Sequence, residues 1–248
     1  MASVAYLRQA RVADDGNAVR FCATCAFSSA CLEQGFDKSR LNELHILVNH
    51  VGPFPEGTHL FRAGEPLEAI AAVRAGTVKT YVLDREGRET VLGFHLPGEV
   101  IGLDAISGDR YPCSAVALET VSLCRFSFPE ISLLAAKVPG IQLRLFQLLS
   151  REIGKATLLS GDYSAEERLA AFLMMLSRRY GARGLSSVRF SLPMARTDIA
   201  NYLRLAPETV SRVLRRFQDS GLLRVERREV ELSNAAALLD LARHALRD

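Results

Sequence analysis

The spacing of the apolar residues changes near residue 130, and this change limits the fold more than any other feature of the chain. From about 51 to 128, short apolar runs such as AIAAV, TVKTYVL and ETVLGF alternate with turn-like stretches such as RAGEP, DREGRE and LPGE. Many short strands at roughly ten-residue spacing predict an antiparallel β-sandwich or a jelly roll. After 130 the apolar residues recur at helical spacing. The sequence therefore predicts an α+β protein in which helices follow a β-roll.

A long amphipathic helix is predicted directly after Pro139-Gly140. Its apolar residues recur every three or four positions, which places them on one face of a helix of about twenty residues. An apolar face needs a partner: either the chain's own barrel or the same helix of a second copy. We expect the second arrangement, a homodimer. The residues of the predicted dimer interface are Ile141, Leu145, Leu148, Leu149 and Ile153.

A helix-turn-helix pattern occupies Arg196–Phe217, with the sequence RTDIANYLRLAPETVSRVLRRF. Helices are expected at about 196–204 and 207–219. Pro207 suits the first position of the second helix, because the N–H that proline lacks has no partner there in any case. The stretch RVERREVEL that follows is typical of a hairpin. Together these elements predict a winged helix-turn-helix.

The polar face of this motif is predicted to bind double-stranded DNA, because a recognition helix presents its exposed residues to the major groove. Residues 166–248 contain 15 Arg and no Lys against 10 Asp and Glu, whereas the rest of the chain is slightly acidic. The alternative is a small helical packing unit with a solvated polar face. The candidate DNA contacts are Arg196, Thr197, Glu208, Thr209, Ser211, Arg212, Arg215 and Arg216.

A length of 248 residues predicts more than one domain. No run of about eighteen uncharged apolar residues is present, and MASVAYLRQARVADD lacks a hydrophobic signal core. We therefore expect a cytoplasmic protein that does not cross a membrane. A capping box at Ser164 and Glu167 predicts the first helix of the C-terminal domain. The expected parts are an N-terminal segment at 1–50, the β-roll at 51–130, a connector with the dimerisation helix at 131–162, the winged helix-turn-helix at 163–236 and a tail at 237–248.

Four cysteines form a candidate metal centre. Cys22, Cys25 and Cys31 follow a Cys-x2-Cys-x5-Cys spacing, and Cys124 lies far from them in VSLCRF. Thiolates suit iron–sulfur clusters and zinc, so both remain open, as does a redox pair of thiols. The chain has five cysteines, an odd number that argues against a closed disulfide framework. We expect the fifth, Cys113, to be a small apolar core residue. The alternative is that Cys113, rather than Cys124, is the fourth ligand.

The sequence does not indicate an enzyme. It contains no recognisable Ser/His/Asp set, phosphate-binding loop or paired-carboxylate cleft. A regulator or binding protein is therefore the expected class.

The whole of this pattern resembles the Crp/Fnr family of transcription factors, and within it the FNR/Anr branch of oxygen-responsive iron–sulfur regulators. The matching stretches include LFRAGEP, TVLGFHLPGEVIGLDAI, AEERLAAFL, DIANYL and ETVSRVLRRFQDSGLL, which together span nearly the whole chain. The resemblance implies that Cys22, Cys25, Cys31 and Cys124 hold one 4Fe–4S cluster. It also implies that RNA polymerase is a partner.

The resemblance further implies a dimer that reads a TTGAT…ATCAA-like palindrome through Glu208, Ser211 and Arg212 and controls genes of low-oxygen metabolism. Two alternatives stay open. One is a regulator of the same family with a structural zinc or redox thiols in these cysteines. The other is a sensor module with weakened DNA recognition, which is motivated by Arg204 at a turn position where the family usually has glycine.

No cyclic nucleotide is expected in the β-roll. Members of the wider family clamp that ligand with a Gly-Glu pair and with an arginine that precedes a Ser/Thr-Ala pair. Gly98-Glu99 is present, but Cys113 stands where the arginine would precede Ser114-Ala115. A phosphate buried there would lack its counter-charge, which is costly.

Overall fold

The computed structural model describes residues 48–137, 139–156 and 161–246, and the side chains of Val48, Leu134 and residues 151–156 are not among those described. The chain divides into two compact units between Ser150 and Arg151. Three of the predicted metal ligands, Cys22, Cys25 and Cys31, lie outside the described residues. The apolar residues between Leu41 and Val48 predict a short helix, and most of this segment also lies outside them. Val48, the last residue of that predicted helix, instead begins a strand.

The first unit is a roll of antiparallel strands, as predicted, and its described residues form two four-stranded sheets. One sheet has the order β1-β8-β3-β6 and the other β2-β7-β4-β5. The strands are β1 (Val48–Phe54), β2 (His59–Phe61), β3 (Ala69–Ala75), β4 (Val78–Leu83), β5 (Glu89–His95), β6 (Val100–Ile101), β7 (Ser114–Ala117) and β8 (Val121–Ser127). A 3-10 helix at Leu103–Ser107 follows β6.

The alternation of side chains along the strands produces two apolar layers. Leu60, Phe61, Val73 and Leu123 belong to a core cluster to which strands of both sheets contribute. The neighbours Ala72 and Cys124 point to the opposite face of the first sheet, as the period of two requires. That opposite face is covered by helices.

Among the described strands of the roll, β1 is the one that the apolar pattern of the sequence does not predict. Gly52 and Pro53 lie within it, and both residues are typical of turns. Among the described strands, β1 is at the edge of its sheet and pairs only with β8. The missing N–H of Pro53 is tolerated there because it breaks no central ladder. The register shifts between Val51 and Phe54 as the strand passes this point.

Two helices, α1 (Phe128–Lys137) and α2 (Pro139–Ala156), follow the roll. Ile141 is fully buried and Leu148 is 7% exposed, within one cluster with Ile70, Phe126 and other residues of the first unit. Leu145 and Leu149 are half-buried against the same cluster. These four residues therefore pack against the chain's own β-roll, which is the alternative to a dimer interface.

A different part of α2 is open to solvent. Leu143 is 59% exposed and Phe146 is 58% exposed. The side chain of Ile153, the fifth residue of the predicted interface, lies outside those described. The hydrophobic residues available to a partner on this helix therefore include Leu143 and Phe146 rather than Ile141 and Leu148.

The second unit is a small α+β domain. Its elements are α3 (Ala165–Gly181), β9 (Arg189–Ser191), α4 (Arg196–Leu203), α5 (Pro207–Asp219), β10 (Arg224–Glu226), β11 (Glu229–Glu231) and α6 (Ala235–Ala242). The three strands form an antiparallel sheet of order β10-β11-β9, and the hairpin β10–β11 is the predicted wing. Helix α6 packs against α3 with Leu238 fully buried, so part of the expected C-terminal tail belongs to this domain.

The predicted capping box begins α3. The Ser164 hydroxyl accepts a hydrogen bond from the Glu167 backbone N–H at 3.2 Å, and the Glu167 carboxylate accepts one from the Ser164 N–H at 2.8 Å. These two bonds satisfy donors that the helix start would otherwise leave without partners. Among the described residues, no helix is long and apolar enough to cross a membrane.

Candidate nucleic-acid interface and cysteine positions

The turn between α4 and α5 depends on Arg204, which ends α4 in the left-handed conformation with φ 55° and ψ 46°. The Leu205 N–H returns to the Ala200 carbonyl at 2.9 Å, which closes the end of α4. Helix α5 then begins with Pro207 at its first turn. The arginine therefore adopts the backbone geometry that glycine adopts more easily, and the helix-turn-helix forms with it.

Helix α5 buries one face and exposes the other, as predicted. The buried residues are Val210, Val213, Leu214 and Phe217, each at most 5% exposed. Thr209 is half-buried at the flank of the helix. On the outer face Glu208, Ser211, Arg212, Arg215 and Arg216 are all exposed.

A groove brings part of the predicted DNA-contacting set together. It runs between the start of α4, one flank of α5 and the wing, and Arg196, Ser211 and Arg215 all line it. Arg196 is half-buried here and Thr197 beside it is exposed. Burial lowers the pKa of the Arg196 guanidinium from its ordinary value, but an arginine stays protonated at neutral pH. The groove therefore presents two arginines beside the polar face of α5.

Ser211 uses its hydroxyl proton within its own helix. The hydroxyl donates to the Pro207 carbonyl at 3.1 Å. In this rotamer the oxygen faces outward only as an acceptor. The hydroxyl oxygen can therefore accept a hydrogen bond from an amino group on a base edge, whereas a carbonyl or ring nitrogen would require a donor.

Arg216 differs from the other exposed arginines of α5, because its guanidinium forms an ion pair with Glu166 in the first turn of α3. The side chains are 61% and 33% exposed respectively. This pair cannot be predicted from residue spacing, because its two residues lie on different helices.

A hydrogen bond from the wing to Gln218, which residue spacing does not predict either, holds the wing against α5. The Gln218 side-chain oxygen accepts a hydrogen bond from the Val225 N–H at 2.9 Å. The wing carries three exposed arginines, Arg224, Arg227 and Arg228. These extend the positive surface beyond the recognition helix.

Cys124 lies in the middle of β8, where its neighbours are His50 on β1 and Ala72 on β3. It is half-buried and packs against the same apolar cluster as Leu145 and Leu149 of α2. The fourth predicted ligand therefore shares a sheet face with the long helix. Within residues 48–137, 139–156 and 161–246, no group of three His, Cys, Asp or Glu side chains could hold a metal ion. The other three predicted ligands lie outside those ranges.

Cys113 has a different environment from Cys124. It is 1% exposed, and its thiol donates to the Asp104 carboxylate at 3.1 Å. Burial raises the pKa of the Cys113 thiol, and the charge of Asp104 raises it further. A thiol must lose its proton to bind a metal, so this environment disfavours Cys113 as a ligand.

The positions that correspond to a nucleotide clamp make bonds within the protein. The Glu99 carboxylate accepts the Leu96 N–H at 3.1 Å, and the Ser114 hydroxyl accepts the Ala63 N–H at 3.0 Å. Cys113 is engaged with Asp104 in the way just described. The absence of a bound cyclic nucleotide stays a prediction.

Two family models match the chain, one for each unit of the fold. Residues 52–137 match a cyclic nucleotide-binding domain, and residues 167–241 match a Crp-like helix-turn-helix domain. The matched ranges cover most of the β-roll together with α1, and most of the winged helix-turn-helix together with α6.

Similar proteins span almost the full chain. The fumarate and nitrate reduction regulatory proteins of Escherichia coli K12 and Vibrio cholerae are each 39% identical, over 94% of this chain and 94% of their own length. The anaerobic regulatory protein of Aggregatibacter actinomycetemcomitans is also 39% identical, over 94% of this chain and 91% of its own.

Among solved structures, FixK2 from Bradyrhizobium japonicum is similar, with a TM-score of 0.72 and 30% identity over 79% of this chain and 97% of that protein. The relatives are transcriptional regulators, in agreement with the prediction that the chain is not an enzyme. It belongs to the Crp/Fnr family of transcriptional regulators, in the branch that contains the fumarate and nitrate reduction regulatory proteins.

Proposed function

We propose that this protein is an oxygen-responsive transcriptional regulator that binds one 4Fe–4S cluster and, as a homodimer, a TTGAT…ATCAA-like palindrome. The genes it controls would be those of low-oxygen metabolism, as the names of its relatives suggest. The observation that carries the proposal is the exposed face of α5, where Glu208, Ser211 and Arg212 all point to solvent beside an arginine-rich wing.

Base reading follows from the chemistry of these three side chains. Arg212 can donate two hydrogen bonds to the major-groove edge of guanine, and the Glu208 carboxylate can accept from the amino group of cytosine. The Ser211 hydroxyl donates its hydrogen bond to the Pro207 carbonyl, so its oxygen is available as an acceptor for a nearby amino group. All three lie in the N-terminal half of α5, which is the part that meets base edges in this class of motif.

Phosphate contacts are assigned to the residues around this face. Arg196 and Thr197 lie at the start of α4, Thr209 and Arg215 lie on α5 beside the base-reading residues, and the wing arginines extend the surface. Such contacts position the protein without reading sequence. Arg216 is removed from this set, because its guanidinium pairs with Glu166.

The cluster would be held by Cys22, Cys25, Cys31 and Cys124. Thiolates are the ligands of such clusters. When bound, the group supplies a centre that oxygen can destroy. The half-buried Cys124 on β8 fits a ligand better than Cys113, which is buried and bonded to Asp104.

The switch would act through association of two chains. Cys124 and the residues Leu145 and Leu149 pack against one apolar cluster, so an N-terminal segment tied to Cys124 would lie on the sheet face that carries α2. We propose that this segment supports dimerisation and that loss of the cluster favours the monomer. Two recognition helices must reach half-sites one helical turn apart, so the monomer binds the palindrome weakly.

We assign the dimer surface to the exposed residues of α2, Leu143 and Phe146, in place of Ile141 and Leu148. The DNA-bound dimer would act on RNA polymerase in the cytoplasm. No cyclic nucleotide takes part in this scheme.

The metal assignment is tested on protein purified without oxygen. We expect a straw-brown protein with about four irons per chain, whose visible absorbance is lost in air. A colourless protein with stoichiometric zinc would instead support the structural-zinc alternative, and a metal-free protein with reactive thiols would support the redox-thiol alternative. Cys124→Ser should prevent iron incorporation, and Cys113→Ser should not.

DNA recognition is tested on the same anaerobic protein with a TTGAT…ATCAA duplex and a scrambled duplex of equal length. We expect strong preference for the palindrome. Equal affinity for both, with the iron intact, would contradict the assignment of base-reading residues and support a sensor with weakened DNA recognition.

A further inference from the structure

The first turn of α3 contains a side chain that the DNA-reading scheme does not use. Arg168 is half-buried, and its guanidinium donates three hydrogen bonds to backbone carbonyls. Two acceptors are in Gly161–Tyr163, the short connector directly before α3: the Tyr163 carbonyl at 2.9 Å from Nε and the Gly161 carbonyl at 3.2 Å from a terminal nitrogen. The third is the Leu203 carbonyl at 3.1 Å.

The third acceptor lies at the turn between the two helices of the helix-turn-helix. Leu203 is the last residue of α4, and Arg204, which follows it, makes the left-handed turn into α5. Carbonyls in the last turn of a helix have no partner within the helix and sit at its negative end. A guanidinium therefore binds this carbonyl favourably and fixes the end of α4.

The connector also makes contacts within itself and with the start of α3. The Tyr163 ring lies across Gly161, where a Cβ atom would come within 2.0 Å of the ring. The capping box holds Ser164, and the Arg168 N–H bonds to the Ser164 carbonyl at 3.0 Å. The guanidinium thus joins two backbone segments that are distant in sequence.

We infer that Arg168 couples the backbone of the connector at Gly161–Tyr163 to the turn that orients α5, and is a positioning residue for DNA recognition. Its planar fork of five donors can reach three separate carbonyls at once, and a lysine cannot reproduce that geometry. A change in the connector would be transmitted to the recognition helix through this one side chain. The inference rests on the proposed function only in taking α5 as the helix that reads DNA.

The variant Arg168→Lys tests this in the full-length protein, because it keeps the positive charge and the long stem. Hydrogen exchange is followed by mass spectrometry in two peptides, one around Ser164 and one around Leu205. We expect exchange to become roughly tenfold faster in both peptides, because charge-assisted bonds are lost at both ends. Gly161→Ala should give the same response at Leu205, although it alters only the connector.

The matched control is Glu166→Gln, which changes the same turn of α3 but removes a contact to α5 alone. It should leave the peptide around Ser164 unchanged. Faster exchange at only one end in Arg168→Lys, or no response at Leu205 in Gly161→Ala, would overturn the coupling.

DNA affinity supplies a readout that general loosening would not reproduce. In Arg168→Lys the ratio of affinities for the palindrome and the scrambled duplex should fall roughly tenfold, while affinity for the scrambled duplex, which follows charge, should hold. Equal losses on both duplexes would overturn the positioning role. If the wild-type protein itself does not discriminate the duplexes, the proposed base reading fails, and the exchange experiment still tests the coupling.

Discussion

At the scale of single residues, Arg204 is where side-chain chemistry and backbone geometry conflict. Its φ of 55° is in the left-handed region, which costs a non-glycine residue roughly 1–2 kcal/mol. The surrounding helices nevertheless impose it, because α4 and α5 bury Leu203 and Val210 on either side of the turn. The position usually occupied by glycine is therefore filled by a residue with a higher conformational energy.

We expect Arg204→Gly to raise the free energy of unfolding of the C-terminal domain by about 1 kcal/mol, because glycine adopts this conformation without the steric cost. Urea denaturation measures the change. Arg215→Gly, at an exposed site inside α5, should have the opposite effect and lower the free energy by about 1 kcal/mol. A loss of stability in Arg204→Gly would contradict this account of the turn.

Arg212 is the residue with the largest predicted effect on sequence reading. Arg212→Ala should weaken binding to the palindrome by roughly 1–3 kcal/mol and relax discrimination at one base pair of each half-site. Competition binding against duplexes with single base-pair changes measures this.

Arg215→Ala is the comparison for Arg212→Ala, because Arg215 is assigned to phosphate. It should lower affinity for all sequences alike and flatten the salt dependence. If Arg212→Ala also weakened every sequence equally, its assigned contact with guanine would be wrong.

At the scale of elements, the start of α3 combines helix capping with a titratable group. Hydrogen bonds from the Ser164 backbone and hydroxyl lower the pKa of the Glu167 carboxyl below its ordinary value. A carboxyl whose pKa is lowered by folding stabilises the fold above its unfolded pKa, about 4.3, and this contribution is lost as the pH falls through the folded value.

We therefore expect Ser164→Ala to lower the free energy of unfolding by about 1 kcal/mol at neutral pH and by less in acid. Denaturation at neutral and acidic pH measures the difference. Glu167→Gln, which cannot titrate, should show a flatter pH dependence than the wild type. An effect of Ser164→Ala that grew in acid would have the wrong sign for this linkage.

At the scale of the whole molecule, the proposed switch requires that association depend on the exposed face of α2. Leu143→Glu should make the anaerobic protein more monomeric and reduce its affinity for the palindrome, because a charge would be buried between two copies. Leu83→Glu on β4 is the matched control, since Leu83 is also 59% exposed but lies on another element. Analytical ultracentrifugation measures both.

The same instrument tests the response to oxygen. We expect the wild-type dimer to dissociate as the visible absorbance is lost in air. A dimer of unchanged mass after complete loss of the absorbance would reject the association switch and point to a change of conformation within a constant dimer.

Local patterns were enough to predict most elements of this protein. Alternating apolar runs between turn residues predict the β-roll, and the spacing of Val210, Val213, Leu214 and Phe217 predicts the buried face of α5. Such patterns can be recognised in the sequence because each depends on residues that are close together along the chain. The same spacing indicates which residues of α5 face outward, whereas Glu208, Ser211 and Arg212 are singled out as base readers by the resemblance to the Crp/Fnr family.

Contacts between distant segments were decided only by the tertiary structure. The helical period of α2 predicts an apolar face, but only packing shows that the roll covers Ile141 and Leu148 while Leu143 and Phe146 remain exposed. Strand β1 exists because an edge position tolerates Pro53. The bonds from Arg168 and Glu166 join helices far apart along the chain, and the physical reason that sequence could not reveal them is that they depend on which surfaces meet when the chain folds.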